Sequence, residues 1–421
     1  MAQKYQKPRG MQDWLPQDSI YWDAITNTFV DVCKKAGLSR VSTPILENTE
    51  LFNRAVGEQT EVVSKEMYTL MDRSDNSLTL KPESTAGVVR AYIENGLASL
   101  PKPIELYYIE PHFRYERPQA GRFRQHHQLG VEVFGDSTQA ADVHAINLGS
   151  RVLNRLKIKN RLLINSIGSR QDRTKYCEAL QKYFAPYEKD LPEINQLQLK
   201  HNPLRILDTK DEDVKPLVAD APQILDYLSK DSSEKFASIL EMLEACGVKY
   251  ELSSRLVRGL DYYNDLVFEF TAVRSEARDS LGGGGRYDGL LEQMGGVATP
   301  AVGFGLGIER LRSELEAIEF KPNKPKIDVF VAAIGSEGTL VAEVIREELL
   351  NAGFSVSANF TKKSIGDQLA IAAKQKSRYS VVVGEREAKQ GVVILKDMNT
   401  GNQQNERRED LSDKLKELLK A

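Results

Sequence analysis

Three stretches of the chain place polar side chains where they could meet a ligand. The first is PHFRYERPQAGRFRQHHQLGVEVFG, residues 111–135. It reads as two antiparallel strands, about 111–116 and 123–134, joined by a loop over 117–122 in which Pro118 and Gly121 suit turns. Strand side chains alternate between faces. Phe123, Leu129, Val131 and Val133 then share one face, with Gln125 and His127 at its outer end, while Arg124, His126, Gln128, Gly130, Glu132 and Phe134 share the other. On the first strand His112, Arg114 and Glu116 lie together. If the polar faces coincide, Arg114, Gln128 and Glu132 look into one cleft, and Gly130 leaves space between Gln128 and Glu132 for a small ligand. The same alternation fits a half-solvated hairpin with its charges in water, and polar spacing alone identifies no substrate.

The second stretch is LTLKPESTAGVVRAYIEN. Leu78 and Leu80 suggest a strand, Pro82 stops it, and Ser84 or Thr85 can cap a following helix. Glu83 thus stands at a strand-to-helix turn, where a carboxylate and backbone N–H groups can meet a ligand. A carboxylate there can equally serve only the helix dipole. The third stretch is RGLDYY, with Arg258, Asp261, Tyr262 and Tyr263, ahead of a strand in which Leu266, Phe268 and Phe270 alternate with Val267, Glu269 and Thr271. By residue type alone the two tyrosines fit a core or a surface, and Arg258 fits a solvated charge.

Two glycine-rich segments follow. LGGGGRYDGLLEQMGG permits close backbone approach but is not a Walker A loop, since no Gly-Lys-Ser/Thr follows. AVGFGLGIERLRSEL sets Gly303, Gly305 and Gly307 ahead of a helix opening near Ile308, with Arg310 in its first turn. It lacks the register and later acidic residue of a dinucleotide fold.

The elements that must position these residues are legible in outline. Tyr21, Ala24, Ile25, Thr28, Phe29, Val32, Cys33 and Ala36 mark an amphipathic helix ended by Gly37. LSRVSTPILENTELF reads as a strand whose Pro44 confines it to an edge or bulge. A helix is expected over 137–156 and a strand at RLLINSIGS. From about 170 to 250 charge density rises, and Phe236, Ile239, Leu240 and Leu243 recur at helical spacing, which suggests a helical insertion. KPNKPK, residues 321–326, reads as a linker. Beyond it IDVFVAAI, FSVSANF, YSVVVG and GVVILKD are expected strands. Residues 337–351 (with Leu340, Val344 and Leu349 inward), IGDQLAIAAKQKS and LSDKLKELL are expected helices, making a small α/β domain.

Bulk properties restrict the possibilities. The 421 residues, 41% hydrophobic and 28% charged, suit two or three globular domains. No apolar run approaches a membrane span, and MAQKYQKPRG does not resemble a secretory signal. Cys33, Cys177 and Cys246 are odd in number and far apart, which argues for a reducing, cytoplasmic setting and against a disulfide framework or zinc site. The five histidines show no ligand spacing, so no protein metal centre is expected. The net charge of −3, from 57 basic and 60 acidic residues, leaves nucleic-acid contact to local patches.

The wording of the motifs adds more. FRYERPQAGRFRQHHQLGVEVFG resembles motif 2 of the class II aminoacyl-tRNA synthetases, GFGLGIERL resembles motif 3, and the helix with its proline-bearing strand resembles motif 1, which forms the dimer interface in that class. LVRGLDYY and GGGGRYDGL look like signatures of the histidyl-tRNA synthetase family, and the C-terminal segment is similar to the anticodon-binding domain of the histidyl, prolyl, threonyl and glycyl enzymes. The resemblance spans essentially the whole chain; the departures are Met11 in GMQDWLP and Tyr115 in FRYER. It implies an α+β catalytic core with an antiparallel class II sheet over 1–325, a helical insertion at about 170–250, and an anticodon-binding α/β domain over 326–421. It also implies a cytoplasmic homodimer.

The activity implied is ATP-dependent conversion of L-histidine to histidyl-adenylate with release of pyrophosphate, then transfer to the 3′ end of tRNA(His). Mg²⁺ would arrive with ATP rather than in a protein cage. By resemblance Arg114 bridges the histidine carboxylate and the α-phosphate, Arg258 lies on the other side of that phosphorus, and Arg310 holds the γ-phosphate. Glu116 and Arg122 would also serve ATP, and Arg117 and Gln119 the tRNA acceptor end. Glu83, Thr85 and Gln128 would hold the α-amino group, and Ser84 would also belong to the histidine-binding set. Glu132 would accept the imidazole N–H, Tyr263 would serve the other ring nitrogen, and Tyr262 and Tyr287 would line the pocket. Arginine suits the phosphate sites because its planar fork binds oxyanions bidentately and stays charged. A polar pocket of this kind rejects analogues without hydrogen-bonding groups by roughly 10⁴–10⁵, so no editing domain is required.

Three other assignments share parts of this pattern. A regulatory paralogue of ATP phosphoribosyltransferase would be expected to have lost motif residues and the C-terminal domain, a synthetase for another amino acid to lack RGLDYY with GGGGRYDGL, and a free tRNA-binding protein to lack the ATP motifs.

Overall fold

The computed structural model describes residues 5–57, 60, 62–118, 121–209, 211–274, 280–322, 326–362 and 364–420. The chain divides into two compact units, Met1–Pro322 and Asn323–Ala421. No helix among the described residues is long and apolar enough to cross a membrane.

The first unit is built on an eight-stranded sheet in the order Ser39–Arg40, Ile104–Phe113, Gln125–Phe134, Ala301–Gly307, Ser280–Arg286, Asn264–Ala272, Asn160–Ser166 and Glu251–Leu252. The middle strands pair antiparallel and the two short edge strands pair parallel. Alternation sends Leu129, Val131, Val133, Leu266, Phe268 and Phe270 to one face, against the helices Pro16–Lys35, Gln139–Arg155, Lys230–Ala245 and Ile308–Ala317. Tyr108, Phe134 and Val267 go to the other face, where they meet Tyr262, Tyr263 and Tyr287.

The hairpin of the first motif differs from its expected bounds. Its strands are Ile104–Phe113 and Gln125–Phe134, so Arg114 and Glu116 sit beyond the first strand, in the connecting loop. Pro111 falls within the strand opposite His127 rather than at its start. The segment around Pro44 also differs from expectation: it is not one strand. Ser39–Arg40 joins the large sheet, while Leu46–Asn48 joins a separate three-stranded sheet with Tyr68–Met71 and Ser77–Leu80. Proline, which can give no N–H to a ladder, marks the break.

The insertion forms its own core from Tyr176, Leu180, Phe184, Leu199 and Ile206. Its base is stitched by Asp172, whose carboxylate accepts from Ser169 Oγ at 2.9 Å, Ser229 N at 3.0 Å and Ser232 Oγ at 2.6 Å. The helix Lys230–Ala245 does not share that core. Phe236, Ile239 and Leu243 pack with the large sheet, so the helical spacing seen in the sequence belongs to the sheet's own cover.

The second unit is a five-stranded sheet in the order Val356–Ala358, Val329–Ala333, Tyr379–Val383, Val392–Asp397 and Gln403–Arg407, parallel across the first three strands and antiparallel across the rest. In the helix Ser336–Asn351 the inward face is Ala342, Ile345 and Leu349. Leu340 and Val344 are 68% and 41% exposed, contrary to expectation. A helix turns through about 100° per residue, which puts both positions on the side opposite Ala342.

Candidate active site

A cavity of about 640 Å³ opens on the first unit. Its floor is the glycine-rich centre of the large sheet. On the neighbouring strand Gly303 pairs with Glu132, Gly305 with Gly130 and Gly307 with Gln128. A Cβ on Gly303 would lie 1.9 Å from Glu132 Oε2, and one on Gly305 would lie 2.1 Å from Gln128 Nε2. These two side chains therefore lie flat across the adjacent strand, and only glycine leaves them room. The segment GFGLG, expected ahead of the helix, is itself the strand Ala301–Gly307, with the helix opening at Ile308.

Glu132 is buried. Thr85 Oγ1 donates to its Oε1 at 2.8 Å, Tyr108 OH to the same oxygen at 3.3 Å, and Tyr287 OH to Oε2. Burial nevertheless pushes its carboxyl up to about 8, against the hydroxyls of Tyr287 and Thr85 that favour the ion. Burial likewise holds the Tyr108 and Tyr287 hydroxyls well above the usual phenol range. Tyr262 packs between the other aromatics, its ring centre 4.6 Å from that of Tyr263 in a tilted contact and 5.6 Å from that of Tyr287 in an edge-on one.

Tyr108 was not anticipated. It pairs across from Gly130, and a Cβ on that glycine would meet Tyr108 Cζ at 2.0 Å. The space over Gly130, expected to admit a ligand, is filled by the Tyr108 ring. His126, which also lines the cavity, is held down to about 3 by burial and by the nearby Arg114 cation.

Glu83 stands at the start of the helix Thr85–Glu94 and accepts from Thr85 N at 2.7 Å and Ala86 N at 2.8 Å. The turn therefore serves the helix and the cavity together, since Glu83 also lines the cavity. A carboxylate has about four lone-pair sites, so two remain. Burial raises its pKa in spite of these bonds. Ser84 is turned away: its hydroxyl meets His112 Nε2 at 2.7 Å, and it is absent from the cavity lining.

The arginines approach from separate elements. Arg114 Nε donates to Pro82 O at 2.9 Å, which fixes its plane beside Glu83. Arg258 Nη1 lies 3.3 Å from Glu269 Oε2. Arg310 Nη1 donates to Ser280 O at 2.8 Å. All three line the cavity, as do Glu116 and Arg122, which lie 3.6 Å apart as an ion pair. Arg117 is exposed and does not line the cavity, and Gln119 lies outside the described residues. Glu269 was missed in the sequence because its pairing with Arg258 depends on how the RGLDYY segment folds over the sheet. Tyr115 packs under Arg124, whose guanidinium carbon stands 3.6 Å from the ring centre.

A small, buried, hydroxyl-lined carboxylate pocket thus opens into a space bordered by arginines. Such a site can hold a neutral ring nitrogen at one end and oxyanions at the other. Among the described residues no group of three His, Cys, Asp or Glu side chains is arranged to hold a metal ion.

The family profile described as Histidyl-tRNA synthetase matches residues 10–311, and that of the Anticodon binding domain matches residues 328–418. The chain is 43% identical over 401 residues to the histidine–tRNA ligase of Desulforamulus reducens, covering 94% of this chain and 96% of the relative. It is 44% identical over 397 residues to that of Synechococcus elongatus, covering 94% and 91%. The crystal structure of apo S. aureus histidyl-tRNA synthetase superimposes with a TM-score of 0.83 at 31% identity, over 98% of this chain and 100% of that one.

Proposed function

The chain belongs to the histidyl-tRNA synthetase family, and from that premise we propose how the residues of its cavity divide the work. The enzyme activates L-histidine with ATP and transfers it to tRNA(His). What carries the assignment of roles is the placement of the hydroxyl-ringed Glu132 carboxylate in one cavity with Arg114, Arg258 and Arg310.

Glu132 accepts the substrate imidazole N–H, and Tyr263 donates to the other ring nitrogen. Tyr108, Thr85 and Tyr287 hold Glu132 in place, with Tyr262 as a wall. Glu83, Thr85 and Gln128 receive the α-amino group; Ser84 supports that corner from behind through His112. Arg114 then spans the substrate carboxylate and the α-phosphate, and Arg258 faces the same phosphorus from the opposite side. Negative charge gathers there as the carboxylate displaces pyrophosphate. Fixed donors in a water-poor site are worth about 10²–10³ in rate each. Arg310 takes the γ-phosphate, Glu116 and Arg122 border ATP, and Arg117 and Gln119 approach the tRNA acceptor end. Mg²⁺ accompanies the ATP phosphates, in keeping with its preference for phosphate and water over an all-protein cage.

We place the domain boundary at 325/326, with the insertion within about 170–250 and the anticodon-reading domain over 326–421. A homodimer in the cytoplasm completes the proposal. Its support is the apolar exposure of Ile45, Leu46, Leu70 and Met71 on and beside the three-stranded sheet. The test is histidine-dependent ATP–pyrophosphate exchange with other amino acids as controls, repeated with Arg258→Ala. Exchange with histidine alone, abolished in the variant while histidine still binds, supports the roles given. Near-normal exchange by Arg258→Ala would refute the role of that arginine.

A further inference from the structure

Asp261, the acidic residue of RGLDYY, does not line the main cavity. It sits where three parts of the first unit converge. Its Oδ1 accepts from Asn202 Nδ2 at 3.0 Å and from Arg205 Nη2 at 3.2 Å, both on the insertion. Its other carboxylate oxygen lies against Gly57, whose φ is +99° and where a Cβ would stand 2.7 Å away. Its backbone N–H points to Val56 O at 3.4 Å, at the end of the helix Thr49–Val56.

The neighbouring contacts repeat the theme. Arg205 Nη2 also donates to Gly259 O at 3.4 Å, and Arg173 Nη1 donates to Asp261 O at 3.4 Å and Tyr263 O at 3.0 Å. Each of these bonds has its donor on the insertion and its acceptor on the segment that carries Arg258 and Tyr263. Asp261 contributes the side-chain acceptor among them. Apolar packing across this seam is incomplete, because a second cavity of about 270 Å³ lies there, bordered by Arg173, Cys177, Leu204, Arg258 and Asp261. Polar contacts therefore carry much of the tie between the insertion and the loop.

We propose that Asp261 is a positioning residue through which the docked insertion sets the geometry of Arg258 for adenylate formation. The proposal rests on the role given to Arg258 above. A guanidinium displaced by about 1 Å from the reacting phosphorus can cost on the order of 10²-fold in rate, whereas the hydroxyls that hold Glu132 come from Thr85, Tyr108 and Tyr287, on other elements.

The test compares Asp261→Ala, Asn202→Ala and their combination with Arg258→Ala, measuring single-turnover histidyl-adenylate formation and equilibrium histidine binding. Asp261→Ala is expected to slow adenylate formation by about 10- to 100-fold, with the histidine Kd changed by no more than about twofold. Asn202→Ala is expected to act in the same direction, and the combination to be no slower than Asp261→Ala, because both remove one shared contact. A normal rate for Asp261→Ala alongside an inactive Arg258→Ala overturns the proposal and leaves the Arg258 assignment standing. Independent, multiplying effects of the two substitutions, or a loss confined to histidine binding, also overturn it. A normal rate for Arg258→Ala removes the assignment and the proposal together. Should Asp261→Ala fail to fold, Asn202→Ala combined with Arg205→Ala carries the same comparison, and an unchanged adenylate rate in that variant overturns the proposal.

Discussion

Nη1 of Arg258 lies 3.3 Å from Oε2 of Glu269, on the strand beneath it, and both side chains are mostly withdrawn from solvent. The carboxylate pre-orients a cation whose proposed duty is at the α-phosphate. Glu269→Gln keeps the shape and removes the charge. It is expected to slow adenylate formation about tenfold while histidine binding stays unchanged, through loss of orientation. Rapid-quench kinetics with labelled ATP would show this, and an unchanged rate would mean that Glu269 has no part in aligning the arginine.

Glu132 ties pH to both stability and binding. Its carboxyl is raised from 4.5 to about 8 in the folded protein, so its stabilising contribution is complete below the unfolded value and is lost as pH rises toward 8. Glu132→Gln should therefore melt higher than the parent by a margin that grows from pH 5 to 8 and then levels, on the order of a few degrees. Histidine affinity of the parent should rise over pH 7–8.5, because the ion accepts an imidazole N–H more strongly than the neutral acid does, and the variant should lose that rise. Thermal melts and titration calorimetry across this range decide the matter; a margin independent of pH would show that Glu132 stays ionised.

Gly303→Ala tests the floor of the pocket. The added methyl would sit 1.9 Å from Glu132 Oε2 and 2.6 Å from Val131 O, so either the strand or the carboxylate must move. Overpacking of this kind costs about 1–3 kcal/mol. The expected outcome is an increase of at least about tenfold in the KM for histidine in pyrophosphate exchange, with a smaller change for ATP. An unaltered histidine KM would show that Glu132 does not need this seat.

Lys81 and Glu110 form a buried pair at 2.9 Å, with Lys81 Nζ also donating to Thr43 Oγ1 at 3.1 Å and Ser42 Oγ donating to Glu110 Oε1 at 2.6 Å. Removing one partner strands the other charge in the interior. Lys81→Met is expected to destabilise the protein by about 3–5 kcal/mol. Denaturant titration would read the loss, and a change below about 1 kcal/mol would mean that Glu110 is relieved by protonation or water.

Deleting the second unit after Pro322 is expected to spare histidine-dependent pyrophosphate exchange and to cripple charging of tRNA(His), because the division into two compact units falls there. Equal retention of both activities would remove the C-terminal domain from tRNA recognition.

Much of the site could be read from residue order because alternation along one strand is local. Gln128 and Glu132 had to share a face, and a proline after Leu80 had to leave Glu83 at a turn. Tyr108 and Glu269 were hidden because their partners, Gly130 and Arg258, are met only through strand register and loop path. The strand Gln403–Arg407 was invisible for another reason. Its QQNER sequence has no apolar alternation, and it lies at an exposed sheet edge where polar residues are tolerated. The misplaced Leu340 and Val344 show the converse: apolar residues at a four-residue spacing mark a face of a helix without saying which face turns inward.

The break at Pro44 has a mechanical consequence. Lys81 N donates to Ile45 O at 2.9 Å, and the strand Ser77–Leu80 runs from the small sheet directly into Lys81, Pro82 and Glu83. Lys81 O in turn accepts from Phe113 N at 3.0 Å, next to Arg114. The exposed apolar residues Ile45 and Leu46 are thus one hydrogen bond away from the short run of chain that delivers Glu83 to the cavity. In the proposed homodimer, assembly and catalysis would share one fulcrum, because the segment offered to the partner is bonded to the turn that seats Glu83.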